Sequence, residues 1–417
     1  MARTLCRAAI LLLAAACSRN APPAATPAPL APPAPSARGQ AIAPAAAAPR
    51  PAPPPDSRAE AKRPPCLPQE PYASAGVLAE EAGDALAREE NDRALACAEE
   101  AIRLAPRLVS ALVARASALG ALGRLDAARL AWSRALAVDP YEPNALLGAA
   151  ELHVRRLGPA RDALEIGLEY ALRGVRAAQA RKDRTLAAHL ELVAGMAEND
   201  LGRSHLALPH LDRAVQVLPD DPDAVYERGV ALYELCRFDE AQRVFDRAAS
   251  LAPDDPWTLH QLGLLAERRG DAERAERLLA RARKLAPDEF QAEVALDPEA
   301  FRQEVQQAVS SLSDEERRSL QSVPVQIQDL PDASDLVAVD PPLSPSILGL
   351  FRGPSENEPC LASDGPHCRA IVFYRKNLLR FARDRKELGL QIKVTLLHEL
   401  GHLHGENDDD LRARGLE

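Results

Sequence analysis

Between about residues 72 and 290, apolar residues recur at every third or fourth position, which is the period of an amphipathic α-helix. The helical stretches come in pairs, and the second helix of most pairs ends in a proline. Proline ends a helix because it lacks the N–H donor and its ring clashes with the preceding turn. The stretches that end in this way are ALACAEEAIRLAP (94–106), ARLAWSRALAVDP (128–140), LPHLDRAVQVLP (208–219), AQRVFDRAASLAP (241–253) and AERLLARARKLAP (275–287). The pattern predicts an array of two-helix units.

The units have a constant length. Their final prolines stand at positions 106 and 140 and again at 219, 253 and 287, which is a repeat period of about 34 residues. The interval between positions 140 and 219 exceeds two such units by about a third of a unit, so an insertion lies between them. We expect this insertion to lengthen the helices around residues 171–183.

A unit such as AVYERGVALYELCRFDEAQRVFDRAASLAP resembles the tetratricopeptide repeat, and the resemblance extends over about 215 residues. The small, packing and helix-breaking positions of that repeat are occupied here by Gly229, Ala231, Phe238, Ala241, Ala248 and Pro253. The resemblance implies a helical solenoid over residues 71–294, whose concave groove binds a protein partner. The alternative is that the array serves only as a spacer or a dimerisation surface.

After position 287 the period stops, and residues 295–417 show a different pattern. In chain order it consists of a helix near 298–312, a strand VPVQIQDL (323–330), a segment ILGLFRG (347–353), a second strand AIVFYR (370–375) and a long helix over about 384–403. Helices mixed with a few strands predict a small α+β domain. The expected fold class is therefore mostly α, with a helical solenoid followed by this small domain.

Residues 1–17 have the pattern of a targeting segment. Arg3 and Arg7 precede an apolar run that is too short to span a bilayer. The run ends in AAAC, which resembles the lipobox of bacterial lipoproteins. The resemblance implies that Cys17 becomes the lipidated first residue of an exported protein, and Ser18 favours the outer membrane, facing the periplasm. An ordinary cleaved signal peptide is the alternative.

Residues 18–70 contain 16 of the chain's 36 prolines, together with many alanines. Such a segment cannot bury enough apolar surface to fold, and proline favours an extended chain. We therefore expect a disordered tether that holds the folded part away from the membrane.

Composition narrows the choice of partners. The net charge is −10, and no basic stripe dominates any region, which argues against a nucleic-acid partner. Aromatic residues make up only 4% of the chain, which suits helical repeats better than a large sheet.

Export makes disulfides possible among the cysteines. Cys360 and Cys368 flank a loop rich in proline, glycine and aspartate, and their spacing predicts a disulfide. Metal binding is the alternative, although no second cysteine pair completes such a site. Cys97 and Cys236 lie in helical patterns and are expected to be small buried hydrophobes.

The motif HELGH lies in the last long helix. His398 and His402 are four residues apart, so both imidazoles project from one face and can share one metal ion. Glu399 follows the first histidine, where its carboxylate can accept a proton from water beside the metal without being a ligand. Gly405 then allows a sharp turn, after which a later residue can return as a third ligand.

The stretch from His398 to Asp408 reads HExxHxxGxxD and resembles the small bacterial zincin-like metallopeptidases, over roughly residues 300–417. Further segments that resemble this family are ILGLFRG, IVFYRKNLLR (371–380) and DDDLRARGL (408–416). The resemblance implies that His398, His402 and Asp408 bind Zn²⁺ and that Glu399 is the general base. The insert SENEPCLASDGPHC (355–368) departs from the family pattern.

Other acidic residues compete with Asp408 for the third position. Glu406, Asp409 and Asp410 can replace it if the turn differs, and the acidic run can also be only a solvated helix start. His404 is disfavoured because a residue two positions after His402 points away from the shared face.

Two functions are consistent with the sequence. The first is a membrane-tethered zinc metallopeptidase that cleaves a protein or peptide substrate, with repeats that recruit a partner or substrate. The second is a lipoprotein adaptor whose zincin-like domain is inactive or structural. Glu399 favours the first, because a structural metal site has no need of a base beside its ligand.

Overall fold

The structure is a computed structural model that describes Cys66, residues 74–360 and residues 368–416. The predicted signal segment with its lipidation site Cys17, and all of the predicted tether except Cys66, lie outside the described residues. Within the described part of the chain, no helix is both long and apolar enough to cross a membrane.

In the part of the array that the structure describes, there are twelve α-helices. They are α1 (Ala75–Ala87), α2 (Asn91–Leu104), α3 (Val109–Ala121), α4 (Leu125–Val138), α5 (Pro143–Glu151), α6 (Arg161–Ala180), α7 (Arg184–Asp200), α8 (Ser204–Val217), α9 (Pro222–Glu234), α10 (Phe238–Leu251), α11 (Pro256–Arg268) and α12 (Ala272–Leu285). A π-helical turn, Leu152–Arg156, follows α5. With 20 and 17 residues, α6 and α7 are the longest of the twelve, which confirms the expected effect of the insertion.

Local sequence explains where two of these helices begin. Both α9 and α11 start with the dipeptide Asp-Pro. The side chains of Asp221 and Asp255 each accept a hydrogen bond of 2.9 Å from the backbone N–H three residues later. The proline that follows each aspartate has no N–H. This costs no hydrogen bond, because the N–H groups of the first helical turn have no acceptor within the helix.

The two helices of a unit pack closely because a glycine in the first helix faces a large side chain in the second. A Cβ added at Gly229 would lie 2.6 Å from Cε1 of Phe245, which is fully buried. Equivalent contacts recur one unit before and one unit after this pair, between Gly195 and Leu211 and between Gly263 and Leu279. The period of the repeat is therefore also the period of the core packing.

Replacing Gly229 by alanine is expected to lower the free energy of unfolding by about 1–3 kcal/mol, because the new methyl group would overlap the fully buried phenyl ring and force it to shift. Gly83 in α1 is the matched control, since a Cβ there meets nothing within 4 Å. Gly83→Ala should instead stabilise the protein by about 0.5–1 kcal/mol through helix propensity. Denaturant unfolding followed by circular dichroism measures both, and equal effects of the two substitutions would contradict this packing.

The C-terminal domain contains the remaining elements. Its helices are α13 (Pro298–Ser310), α14 (Asp314–Ser319), α15 (Ala333–Leu336), α16 (Arg375–Phe381), α17 (Arg385–Leu403) and α18 (Asp408–Ala413), and its strands are β1 (Val325–Gln328), β2 (Gly349–Arg352) and β3 (Ala370–Tyr374). The strand order is β1-β3-β2, with β1 parallel and β2 antiparallel to β3. The segment ILGLFRG thus supplies an edge strand.

The core of this domain lies between the sheet and α17. The central strand β3 is buried along its whole length. On α17, Leu388, Ile392, Leu396 and Leu400 form a buried stripe with a spacing of four residues, which is the spacing of one helix face. The fold class expected from the sequence, a helical solenoid followed by a small α+β domain, is confirmed.

Polar and backbone contacts join the array to this domain. The carboxylate of Glu267, at the end of α11, accepts hydrogen bonds from Lys376 Nζ at 3.0 Å and from Arg380 Nη2 at 2.8 Å. Past the last array helix, the N–H of Val294 donates to the carbonyl oxygen of Leu379 at 3.0 Å. The end of the predicted repeat region therefore packs against the neighbouring domain.

The cysteines are arranged partly as expected. The structure places Cys360 and Cys368, the pair predicted from the spacing, in a disulfide with Cα atoms 5.9 Å apart. The expectation that Cys97 is a small buried hydrophobe is right about its burial but misses its disulfide. Its side chain is buried but is joined to Cys66, which precedes it in the chain and packs against buried residues of α2. Among the described cysteines, Cys236 is a free thiol, half-buried at the turn between α9 and α10.

Candidate metal centre

The two histidines of the motif face each other across one turn of α17. Their Nε2 atoms are 3.0 Å apart, and their ring centroids are 4.7 Å apart. His398 is only 3% exposed, and His402 is half-buried. The structure thus brings the predicted pair together as the i and i+4 spacing requires.

Backbone carbonyl groups determine which nitrogen of each ring is free. Nδ1–H of His398 donates to the carbonyl oxygen of Leu416 at 2.6 Å, and Nδ1–H of His402 donates to that of Glu406 at 3.0 Å. A carbonyl oxygen can only accept, so each neutral ring carries its proton on Nδ1 and a lone pair on Nε2. Both lone pairs therefore point into the same space, as the ligand atoms of a metal site do.

Asp408 reaches this space because the chain turns sharply after α17. Gly405 has a φ of +87°, and Asn407 caps the N-terminus of α18, so that Asp408 is the first residue of the new helix. Its Oδ1 atom lies 3.6 Å from Nε2 of His398 and 3.3 Å from Nε2 of His402. Burial alone would raise the pKa of Asp408, but the two histidines outweigh burial and lower this pKa to about 2.

Three acceptor atoms therefore converge on one point. The two Nε2 atoms and a carboxylate oxygen of Asp408 all lie within 4.8 Å of one another. Oδ1 of Asp408 is buried and makes no hydrogen bond of normal geometry within the described ranges. Nitrogen and oxygen lone pairs that face each other without a donor between them need a cation, and this donor set is one that zinc prefers. The residues present fit a zinc ion.

Glu399 lies beside this cluster but is not part of it. The residue is only 2% exposed, and its Oε2 atom accepts a hydrogen bond of 2.6 Å from the backbone N–H of Phe351 in β2. Burial raises the pKa of Glu399 above the usual range of a glutamate. Gly349 lets α17 approach the strand, since a Cβ there would lie 2.5 Å from Thr395 and 3.3 Å from the Glu399 carboxylate.

The competing candidates for the third ligand have other partners. Nε2 of His404 lies 3.1 Å from Oγ of Ser319, on the outside of the domain. The competing acidic residues make their contacts elsewhere: Asp409 with Arg412, Asp410 with the N–H of Asn407, and Glu406 with Arg414. Among the four acidic residues considered, the structure places Asp408 alone at the two histidines.

The described part of the insert, residues 355–360 and 368, lies near the end of α17. The N–H of Glu356 donates to the carbonyl oxygen of Leu403 at 2.7 Å. The guanidinium of Arg369 donates to the carbonyl oxygens of Pro354, Ser355 and Glu358 at 2.6–2.8 Å. The first residues of the insert are therefore fixed to the end of α17 and to Arg369, and Ser355 and Glu358 line the cavity that contains the candidate metal centre.

Sequence reasoning missed the backbone groups that complete this centre. The Phe351 N–H orients the Glu399 carboxylate, and the carbonyl groups of Leu416 and Glu406 orient the histidines. Every residue except proline carries such groups, so no residue type signals them.

Two family models match the chain. The zincin-like metallopeptidase model covers residues 320–416, and the tetratricopeptide repeat model covers residues 80–143 and 192–256. The chain therefore contains segments that match the tetratricopeptide repeat and, after them, a segment that matches the zincin-like metallopeptidases, as the sequence predicts. No curated protein matches it.

Several solved structures are similar to about half of the chain. PilW, a widely conserved type IV pilus biogenesis factor, is 19% identical, with 51% of this chain and 94% of that chain covered and a TM-score of 0.44. YrrB, a tetratricopeptide repeat protein with an unusual peptide-binding site, is 22% identical, with 46% and 93% covered and a TM-score of 0.37. Pseudomonas aeruginosa PilF is 16% identical, with 51% and 92% covered and a TM-score of 0.44.

Proposed function

We propose that this protein is a zinc-dependent peptidase of the bacterial cell envelope, tethered to the outer membrane by a lipid on Cys17 and facing the periplasm. Its repeats recruit a protein partner or substrate. One observation carries the catalytic part of this proposal: a buried carboxylate, Glu399, interacts electrostatically with His398, His402 and Asp408 without being one of the three converging groups. A metal site with a purely structural role needs no such base.

The chain's own residues can perform the steps of peptide hydrolysis. His398, His402 and Asp408 would hold the ion, and a bound zinc ion would polarise the scissile carbonyl and make a nearby water more acidic. Glu399 takes a proton from the attacking water as the C–O bond forms. It then returns this proton to the leaving nitrogen as the C–N bond breaks. The raised pKa of Glu399 makes it a stronger proton acceptor than an exposed glutamate, and the Phe351 N–H holds its second oxygen.

The test of this function is the zinc content and the proteolytic activity of the purified protein. We expect one zinc ion per chain and cleavage of an unfolded protein or a peptide library that stops when a chelator removes the metal. Zinc binding without cleavage of any substrate would support the adaptor alternative. A protein that binds no zinc would contradict the site.

The proposed anchor leads to a separate prediction. Cys17→Ser should move the protein from the membrane fraction to the soluble fraction, because serine cannot carry the thioether-linked lipid. Cys6→Ser, in the same segment but before the expected cleavage site, is the matched control and should remain in the membrane. Fractionation of inner and outer membranes followed by immunoblotting measures both, and an unchanged membrane pool of Cys17→Ser would exclude a lipid anchor at this residue.

A further inference from the structure

One large cavity connects the array to the candidate metal centre. Its volume is about 2630 Å³, and its lining includes Val230 and Gln261 from the array together with His398, Glu399 and Asp408. Cavities for small molecules are typically about 300–1,000 Å³. This cavity is therefore of a size suited to a polymer.

The array side of the cavity is built from equivalent positions of two neighbouring repeats. Helix α9 contributes Asp223, Glu227, Val230 and Glu234, and α11 contributes Trp257, Gln261, Leu264 and Arg268 at the same positions of the next unit. Within each helix, the second, third and fourth of these residues follow the first by four, seven and eleven positions. This spacing places all four residues on one face of the helix. Two adjacent helices thus present parallel stripes to the same space.

The stripes lead directly to the C-terminal domain. Glu267, next to the last position of the α11 stripe, carries the hydrogen bonds to Lys376 and Arg380 described above. At the end of the α9 stripe, Sγ of Cys236 lies 3.6 Å from the carbonyl oxygen of Leu343, in the segment that leads into β2. Direct contacts join the two parts here. The wall of the cavity therefore continues from the repeats to β2, the strand whose Phe351 N–H donates to the Glu399 carboxylate.

The lining is acidic. In the described part of the chain, fifteen carboxylate side chains and eight arginines line the cavity, and several of them pair with each other, such as Asp223 with Arg155 and Asp335 with Arg352. Two of the fifteen, Glu399 and Asp408, lie at the metal centre, and the other thirteen carboxylates still outnumber the arginines. An excess of one sign of charge in a cleft attracts ligands of the opposite sign and raises their rate of association. The metal centre itself is recessed, since His398 and Glu399 are buried, and a peptide in extended conformation is narrow enough to bring a scissile bond to it.

We infer that the groove of the array and the metal centre bind one and the same molecule, an extended polypeptide with a basic segment. The array holds the basic segment, while a neighbouring segment of that polypeptide enters the metal centre. This inference rests on the proposed peptidase function and names its substrate class. It makes the array part of the substrate site and not a separate adaptor surface.

Binding of defined peptides to the full-length Glu399→Gln protein, measured by fluorescence anisotropy, tests this inference independently of cleavage. The probes are labelled Gly/Ser peptides of about 20 residues that are rich in lysine, rich in glutamate or uncharged, and a lysine-rich peptide of about six residues. We expect the long lysine-rich peptide to bind most tightly and to lose affinity with added salt. Equal binding of all four probes would overturn the inference.

Paired substitutions locate the binding site on the array. Asp200, at the end of α7, and Asp223, which pairs with Arg155 at 2.9 Å, both line the groove. Asp200→Asn with Asp223→Asn removes one negative charge at each position and should raise the Kd of the long lysine-rich peptide by roughly three- to tenfold. Asp126→Asn with Glu273→Gln is the matched control, because both side chains are 92% exposed and lie outside the cavity lining. Its Kd should equal that of the parent protein, and equal effects of the two pairs would contradict a site in the groove.

Cross-linking decides whether a single peptide spans both parts. The long lysine-rich peptide, with a photoreactive group at each end, should give products linked to α9 or α11 and products linked to residues 349–358. Products confined to one of these regions would show that the groove and the metal centre bind separately. Failure of the proposed peptidase function would give a different result. A wild-type protein that binds no zinc or cleaves nothing can still bind the peptide along the groove.

Discussion

Replacing Glu399 by glutamine is expected to lower the rate of peptide cleavage by about 10²–10⁴ while the zinc content stays at one ion per chain. The amide has nearly the shape of the carboxylate, and its oxygen can still accept the hydrogen bond from the Phe351 N–H. It cannot take a proton from water, so the loss should appear in kcat. The measurement is kcat and KM on a cleaved peptide, beside metal analysis of the same preparations.

The matched control is Glu299→Gln, a change of the same chemistry at an exposed position of α13 that lies outside the cavity lining. It should retain the wild-type rate. If Glu399→Gln cleaves as fast as this control, the proton acceptor must be another group. If Glu399→Gln loses zinc together with activity, the carboxylate has a ligand or structural role that its geometry does not indicate.

Replacing Asp408 by alanine is expected to weaken zinc binding by at least about 10- to 100-fold, the range seen when groups that only support a ligand are removed. The substitution deletes the carboxylate whose Oδ1 atom lies at 3.3 and 3.6 Å from the two histidine nitrogens. It also removes the interaction that raises the pKa of His398 and His402 against the effect of their burial. Competition with a chromophoric chelator measures the zinc affinity.

Asp409→Ala is the matched control, because Asp409 is the next residue on α18 but its side chain is 89% exposed and pairs with Arg412. Its zinc affinity should be that of the wild type. The opposite result, weak binding by Asp409→Ala and normal binding by Asp408→Ala, would mean that the turn after Gly405 has a different conformation when the metal is bound.

Much of the array follows from local sequence. Helix ends are encoded by neighbouring residues, such as the Asp-Pro pairs that begin α9 and α11 and the prolines that follow the second helices. The repeat period predicts the packing as well, because in a solenoid each unit contacts mainly its neighbours. Glycines such as Gly229 and their large partners such as Phe245 therefore recur with the same period as the helices.

The candidate metal centre could be predicted only in part from the sequence. A spacing of four residues on one helix places His398 and His402 on a common face wherever the helix packs, so that pair needed no tertiary information. The choice of Asp408 over Asp409 depended on the resemblance, since both follow Gly405 within a few residues. The structure distinguishes them because the Asn407 cap makes Asp408 the first residue of α18 and points Asp409 into solvent.

By itself, then, the sequence determined the repeats, the class of the C-terminal domain and the face that carries the two histidines, all of which depend on neighbouring residues and on periodicity. Only the tertiary structure decided the strand order β1-β3-β2, the Cys66–Cys97 bond and the contact of Glu399 with Phe351. It alone also decided that the groove of the array opens onto the metal centre. The physical reason is common to these features: each joins segments that are distant in the chain, and their meeting depends on how whole elements pack and not on the residues beside them.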